Sequence, residues 1–229
     1  MAALIAPRIA LIHATPLAVQ PVAVAFDELW PQANRMNLLD DSLSQDRAAA
    51  GELNAAMTQR FVDLALYARG CGARGILFTC SAFGPAIEAA AQAVGVPTLK
   101  PNEAMFDEAL ARCAQLGGSR TVGLLTTFAP TAQSLREEFV QLAVDRGASV
   151  ELEVACADGA MEALSAGDAA GHDRLVLEHA HRLSRCDLLL LGQFSMASTR
   201  AAVEAAVGRP VLTSPHSAVR AMRTALRAD

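Results

Sequence analysis

The fold is decided by the stretch Ile76-Leu77-Phe78-Thr79-Cys80-Ser81-Ala82-Phe83-Gly84-Pro85. Its short apolar run predicts a strand that is buried on both faces, as in parallel sheets. Pro85 then opens an alanine-rich segment typical of a helix, because proline is tolerated in the first helical turn. Cys80 is therefore predicted at the carboxyl end of a parallel strand and before a helix, where open α/β sheets bind ligands.

The Cys80 thiol alone has two interpretations. Backbone N–H groups at a helix N-terminus favour anions, including a thiolate present well below the ordinary cysteine pKa of about 8.5. Free cysteine is also among the most buried residue types, so Cys80 could be a small core residue. A repeat elsewhere in the chain favours the first interpretation.

A second copy of the stretch lies 113 residues further along the chain. Residues 189–196 again form an apolar run that ends in small and polar residues. At the same offset, the Val-Gly-Val-Pro sequence at 94–97 corresponds to Val-Gly-Arg-Pro at 207–210, and the strand-like run 8–12 corresponds to 121–125. The chain is thus interpreted as an internal duplication in which Gln193 matches Cys80.

Strands alternate with helices in both halves, which predicts parallel-sheet α/β domains. We expect two similar domains related by a pseudo-twofold axis, with an active-site cleft between them. The first covers residues 1–100, with a C-terminal helix at about 214–229 packing back onto it, and the second covers 101–213. Asp40 to Ala50 is predicted to be a polar loop, and the three histidines of one later helix are expected on a solvated face: His172, His179 and His181.

Composition excludes several classes of protein. The formal net charge is −5 and no basic run is present, so a nucleic-acid partner is not expected. The N-terminal residues lack the basic region of a signal peptide, and no apolar run is long enough to cross a membrane. No Gly-rich phosphate loop and no cysteine or histidine spacing typical of zinc occurs, which predicts a protein without cofactor or metal. A cytoplasmic protein is expected, and a homo-oligomer is one possibility.

Polar side chains collect at the predicted strand ends of both halves. Short hydroxyl residues and helix N-termini dominate, and such groups suit the binding of a carboxylate. The predicted site residues are His13, Thr15, Thr79, Cys80, Ser81, Thr126, Thr127, Gln193, Phe194, Ser195, Thr213, Ser214 and His216. Alternatively, the hydroxyl residues could be helix N-caps and each histidine could be structural. The remaining cysteines are interpreted as packing or surface residues: Cys71, Cys113, Cys156 and Cys186.

With this pattern spread over essentially the whole chain, the sequence resembles the aspartate/glutamate racemase superfamily, which includes hydantoin racemase, maleate isomerase and arylmalonate decarboxylase. The resemblance implies cofactor-independent chemistry at the carbon next to a carboxylate, with two cysteines facing each other across the substrate. Cys80 falls on the position of the first cysteine. Gln193 occupies the second, and because glutamine cannot exchange a proton at neutral pH, two-cysteine racemisation is not expected here.

Three functions remain open at this point. The preferred one is a racemase or isomerase acting on an amino acid, a hydantoin or a small dicarboxylate, with Cys80 as acid/base or nucleophile. His13 or His216 would then supply a second base. The alternatives are a one-cysteine decarboxylase of a malonate-like acid and a non-catalytic protein that binds a small carboxylate. Gln193 favours the last, because an amide can bind a carboxylate without transferring a proton.

Overall fold

The computed structural model describes residues 6–227 and divides the chain into two compact units. The first unit runs to Pro101 and also includes the chain from Ala218 onward, whereas the second unit is Asn102–Ser217. Within the described range, no helix combines the length and the apolar character needed to cross a membrane.

The first unit is a parallel sheet with helices between its strands. Its elements are β1 (Arg8–His13), α1 (Val19–Leu29), β2 (Asn34–Leu39), α2 (Ser42–Ala50), α3 (Ala55–Gly70), β3 (Gly75–Phe78), α4 (Gly84–Val94) and β4 (Thr98–Leu99). The four strands lie in the order β2-β1-β3-β4. All four residues of β3 are buried, so polar side chains next to this strand can reach solvent or a ligand only beyond its end.

The second unit repeats this plan. Its elements are α5 (Glu103–Leu116), β5 (Arg120–Thr126), α6 (Ala129–Asp145), β6 (Val150–Cys156), α7 (Ala160–Ser165), α8 (Ala169–Ala180), β7 (Leu188–Leu191), α9 (Arg200–Val207) and β8 (Val211–Thr213). Strand order is β6-β5-β7-β8, which matches the first unit position by position. Helix α10 (Ser214–Ala225) follows β8. The predicted class, two similar parallel-sheet α/β units, is confirmed.

Two apolar cores cover the two faces of the second sheet. Side chains alternate between faces along a strand. Leu124 and Leu190 consequently pack with residues of α5 and α6, whereas Leu125 and Leu191 pack with residues of α8 and α9. This alternation continues into the strand ends and decides which face each site residue belongs to.

The polar loop predicted over Asp40 to Ala50 is wrong, because most of it is helix α2. Leu43, in the first turn of the helix, is fully buried. Arg60, which comes from α3, forms an ion pair with Asp46 at 2.5 Å. Gly51, with φ of +72°, ends the helix in a left-handed conformation that suits glycine. The Arg60–Asp46 pair joins two helices, so the local polar pattern did not reveal it.

The solvated helix face predicted for the histidines is wrong for two of them. His172 is 1% exposed and His179 is 8% exposed, although His181 is exposed as expected. Val176, which lies on α8 four residues after His172, is part of the apolar core. Residues three and four apart share one face of a helix, so His172 and His179 lie on the buried face with Val176.

We expect Gly123→Ala to destabilise the protein by about 1–3 kcal/mol, because an added methyl group would overpack the core. A Cβ atom at Gly123 would lie 3.1 Å from Leu183 Cβ and 3.1 Å from Cys186 Sγ. The Leu183 Cβ cannot rotate away, so backbone must move. Urea denaturation measures the change. Gly70→Ala is the matched control, since a Cβ there meets nothing within 4 Å; an equal loss in both variants would contradict the packing argument.

Candidate functional site

The first unit carries a set of polar residues at the carboxyl ends of β1 and β3, which we call the Cys80 edge: His13, Thr15, Thr79, Cys80 and Ser81. Cys80 follows β3 in an extended conformation and precedes a 3-10 helix, Ser81–Phe83, that leads into α4. Its side chain is partly exposed and packs against the apolar core of the unit. The sequence-predicted position at a strand end is thus observed.

The protonation state of Cys80 corrects one expectation. Burial raises the pKa of the Cys80 thiol, and a hydrogen bond from the backbone N–H of Ala82 opposes that rise without reversing it. The thiolate expected well below pH 8.5 is therefore not the form that this environment favours. Desolvation of the anion outweighs the backbone donor.

His13 connects three strands of the first sheet. Its ring is fully buried, with Nε2 donating to Asn37 Oδ1 at 3.0 Å and Nδ1 accepting from the Thr79 hydroxyl at 2.9 Å. Burial lowers the pKa of His13, which keeps the imidazole neutral, while the bond to Asn37 partly opposes this. Both ring nitrogens are thus engaged within the unit, and the histidine holds Thr79 next to Cys80.

Asn37 is not among the predicted site residues. It is a polar residue within β2, two positions before the end of the strand. Side chains two residues apart share a face, so Asn37 lies on the same face as the strand end beside His13. A polar residue in a strand next to a predicted site histidine is the signal that would have selected it.

Thr15 and Ser81 lie at the same edge and are both partly exposed. The Thr15 hydroxyl accepts a hydrogen bond from the backbone N–H of Leu17 at 3.4 Å, so it caps the short helix Pro16–Ala18. Thr15 therefore has the alternative role considered for the hydroxyl residues, that of a helix N-cap.

The second unit carries the corresponding set, which we call the Gln193 edge: Thr126, Thr127, Gln193, Phe194, Ser195, Thr213, Ser214 and His216. Gln193 follows β7 and is partly exposed. Its Oε1 accepts hydrogen bonds from the backbone N–H of Thr127 at 2.6 Å and from the Thr127 hydroxyl at 2.8 Å. The amide is thereby oriented with its NH₂ group, a donor, directed away from Thr127.

Other residues of the Gln193 edge bond among themselves. Thr213 Oγ1 lies 2.6 Å from His216 Nδ1, and both residues are buried. The Ser214 hydroxyl, also buried, donates to Asn102 Oδ1. These contacts brace the chain where β8 passes into α10.

The remaining members of this edge differ in exposure. Phe194 is buried, whereas Ser195 is partly exposed. Thr126 is fully buried, and its hydroxyl has no hydrogen-bond partner of good geometry in the described part of the chain. Across residues 6–227, no group of three or more His, Cys, Asp and Glu side chains is arranged to hold a metal ion.

Comparison with known proteins identifies one family. The profile described as Asp/Glu/Hydantoin racemase matches residues 15–222, which is most of the chain. No curated protein sequence is significantly similar to the chain.

Several solved structures share the fold. An allantoin racemase from Klebsiella pneumoniae superposes with a TM-score of 0.71 at 17% identity, covering 97% of this chain and 89% of that one. A glutamate racemase from Bacillus anthracis gives 0.70 at 16% identity, covering 97% and 82%. An unliganded arylmalonate decarboxylase gives 0.61 at 18% identity, covering 96% and 92%. At these identities the likeness is one of fold.

The free energy of unfolding should fall as the pH drops below the ordinary histidine pKa of 6.5. The unfolded chain then binds a proton at His13 that the folded protein, with its lowered pKa, resists binding. The slope attributable to one group is at most about 1.4 kcal/mol per pH unit. Urea denaturation between pH 5 and pH 8 measures it. His13→Asn should lose this part of the slope, and an unchanged slope in that variant would contradict the assignment.

Proposed function

Because the chain belongs to the Asp/Glu/Hydantoin racemase family, we propose that it is an isomerase that moves a proton at the carbon next to a carboxylate or carbonyl group, with Cys80 as the acid/base. The observation that carries the proposal is the partly exposed Cys80 thiol at the end of a fully buried strand. A reactive side chain at this position is held by a rigid element.

In the proposed reaction, the Cys80 thiolate removes the proton from the substrate carbon and becomes a thiol. The electron pair left on carbon delocalises into the neighbouring carboxylate, giving an enolate that needs hydrogen-bond donors. The Ala82 N–H, which bonds to Cys80, stabilises the thiolate before the transfer. The neutral His13 fixes the Thr79 hydroxyl beside it and adds no charge that would trap the anion.

Gln193 is proposed to bind the carboxylate rather than to move a proton. Thr127 occupies Oε1 of the amide through two hydrogen bonds. The NH₂ group is then the end available to an anionic oxygen, and an amide donor suits this task without titrating.

The substrate class follows from the family and from the donors. The similar structures include racemases named for allantoin and for glutamate, so ureides and acidic amino acids form the first panel. The groups that we propose to contact the substrate are hydroxyls, an amide and backbone N–H groups, all neutral donors. Such donors can bind either a carboxylate or a ring carbonyl.

Decarboxylation is the second candidate. The fold likeness to arylmalonate decarboxylase and the single thiol at the matched positions 80 and 193 favour it. A decarboxylase needs one proton donor, and the raised pKa of Cys80 keeps the thiol protonated for that role. The same raised pKa is the observation that favours the non-catalytic binding protein. Release of carbon dioxide from phenylmalonate separates decarboxylation from both other functions.

Cys80→Ser should lower deuterium incorporation at the substrate carbon by at least about 10²-fold, the contribution typical of a general acid/base. A serine hydroxyl keeps the size of the side chain but does not ionise near neutral pH. NMR of the panel acids in deuterated water measures the exchange. Cys71→Ser, which changes a partly exposed cysteine outside the Cys80 edge, is the matched control. Exchange that survives in Cys80→Ser would refute the role of the thiol.

The rate should also rise with pH through and beyond the ordinary pKa of a cysteine. Proton removal needs the thiolate, and burial raises the pKa of Cys80, so the active fraction is small at neutral pH and increases as the medium becomes alkaline. The pH profile of kcat/KM, with the uncatalysed exchange subtracted, tests this. A profile that is already flat at pH 7 would contradict the raised pKa.

Gln193→Cys should speed inversion relative to Gln193→Ser by about 10²-fold. Both variants lose the amide and its bonds to Thr127, and only the first gains a group that can carry a proton. Polarimetry follows the conversion of a single enantiomer. Equal rates in the two variants would mean that position 193 does not approach the reacting carbon.

A further inference from the structure

A chain of hydrogen bonds at the Cys80 edge runs across three neighbouring strands. His13 ends β1, which lies between β2 and β3 in the first sheet. Its Nε2 lies 3.0 Å from Asn37 Oδ1 on β2, and its Nδ1 lies 2.9 Å from the hydroxyl oxygen of Thr79, just beyond β3. The edge strand of the sheet is thereby connected to the residue that precedes Cys80.

The number of protons in this chain fixes the direction of each bond. Burial lowers the pKa of His13, so the ring is neutral and has one N–H donor and one acceptor nitrogen. Asn37 Oδ1 can only accept, so the ring proton lies on Nε2. Nδ1 is then an acceptor, and its bond to Thr79 uses the single proton of the Thr79 hydroxyl.

The Thr79 hydroxyl has one other acceptor within reach, the carbonyl oxygen of Ile12 at 3.4 Å. That distance is beyond the range of about 2.5–3.0 Å that is usual between a hydroxyl donor and an oxygen acceptor. The Ile12 carbonyl also accepts the backbone N–H of Thr79 at 3.1 Å. The His13 ring, at 2.9 Å, is therefore the acceptor that holds the hydroxyl proton.

We propose that Asn37 is a positioning residue that selects the Nε2–H form of His13 and so commits the Thr79 hydroxyl proton to His13, away from a bound substrate. Thr79 is then joined to β1 twice, through its backbone N–H and through its hydroxyl. Both bonds fix the chain immediately before Cys80. The benefit to catalysis rests on the proposed function, in which Cys80 moves the proton.

The same count of protons divides the hydroxyl groups of the Cys80 edge into two kinds. Thr79 is 5% exposed, and its proton is directed at the His13 ring. Thr15 is partly exposed, and its hydroxyl oxygen accepts from the backbone N–H of Leu17. An oxygen that accepts in this way keeps its own proton for another acceptor. Thr15 is therefore the hydroxyl suited to donate to a carboxylate or carbonyl oxygen of the substrate, and Thr79 is not.

The tautomer of His13 can be measured in the unaltered protein. Long-range ¹H–¹⁵N NMR distinguishes a protonated from an unprotonated ring nitrogen, and the His13 signals are those that disappear in His13→Asn. We expect the proton on Nε2 and an unprotonated Nδ1 at pH 7. A proton on Nδ1 would mean that the ring donates to Thr79, and this result would overturn the inference.

Three variants of β2 test whether Asn37 makes the selection. Asn37→Leu removes the acceptor of the Nε2 proton, so its spectrum should contain a measurable fraction of the Nδ1–H tautomer. Asn37→Asp keeps an acceptor and should retain the Nε2 proton, while its negative charge moves the midpoint of the His13 titration upward by about 1–3 pH units. Asn34→Asp, at an exposed residue of the same strand, is the control and should change neither property. An unaltered tautomer in Asn37→Leu would contradict the role of Asn37.

The rate of deuterium exchange separates positioning from a general loosening of the structure. With glutamate, aspartate and allantoin as the panel, Asn37→Leu should lower kcat by about 10-fold, the equivalent of one hydrogen bond, and leave KM unchanged. Relative to the unaltered protein at the same pH, Asn37→Asp should recover the rate above the midpoint of its His13 titration and lose it below, because a doubly protonated ring cannot accept from Thr79. Equal losses in both variants at every pH would indicate a structural role alone and overturn the proposal.

Thr79→Val and Thr15→Val test the division of the hydroxyl groups. Thr79→Val should lower kcat without raising KM, whereas Thr15→Val should raise KM for the same compounds. An increase in KM that is as large for Thr79→Val as for Thr15→Val would mean that Thr79 donates to the substrate, contrary to the proposal. If the unaltered protein exchanges no compound of the panel, the proposed function fails, and the NMR measurements alone still decide the role of Asn37.

Discussion

Complete burial of the third strand in each sheet is the constraint on which the rest depends. Every residue of β3 and of β7 is buried, with apolar cores on both faces of the second sheet. Polar side chains inside such strands would lose their hydration without compensation. Polar and reactive side chains can therefore lie only beyond the ends of these strands. Cys80 follows the end of β3, and Gln193 follows the end of β7.

The polar side chains of the two edges are held in place by different groups. At the Cys80 edge the neutral His13 bonds to Asn37 and Thr79, and at the Gln193 edge Thr127 bonds to the Gln193 amide. His13 and Thr126 are equivalent in sheet order, since each ends the second strand of its sheet. His13 has a partner on each nitrogen, whereas the Thr126 hydroxyl has none of good geometry among the described residues. The two units share the order of their strands and differ in the polar groups at the strand ends.

Much of the framework could be predicted from the sequence, because short apolar runs bounded by glycine and proline carry strong local signals. The strand-like run predicted at residues 8–12 lies within β1, Arg8–His13, and the run at 121–125 lies within β5, Arg120–Thr126. Cys80 and Gln193 were found through the constant offset between the two halves. Two of the failures share a physical cause, which is that the relevant contacts join residues distant in sequence. Arg60 of α3 pairs with Asp46 of α2, and Asn37 bonds to His13.

Protonation states were harder to predict than positions. A helix N-terminus behind Cys80 suggested a thiolate, but the degree of desolvation depends on how the core closes around the sulfur. The degree of desolvation of the Cys80 sulfur cannot be deduced from the spacing of residues along the sequence. The burial of His172, by contrast, could have been predicted from its spacing of four residues to Val176. It was missed because the same segment contains several charged residues.

The ion pairs at helix α2 make this part of the protein sensitive to the salt concentration. Arg60 bridges Asp40 and Asp46, and the side chains of these residues are 26–49% exposed to solvent. Ion pairs at such depth are screened by dissolved salt, with a Debye length of about 8 Å at physiological ionic strength. The Ser44 hydroxyl ties the same helix to the carbonyl of Ala14, beside Thr15. Dissolved salt thus weakens two ion pairs that hold a segment next to the Cys80 edge, so the electrostatic part of its stability depends on the buffer.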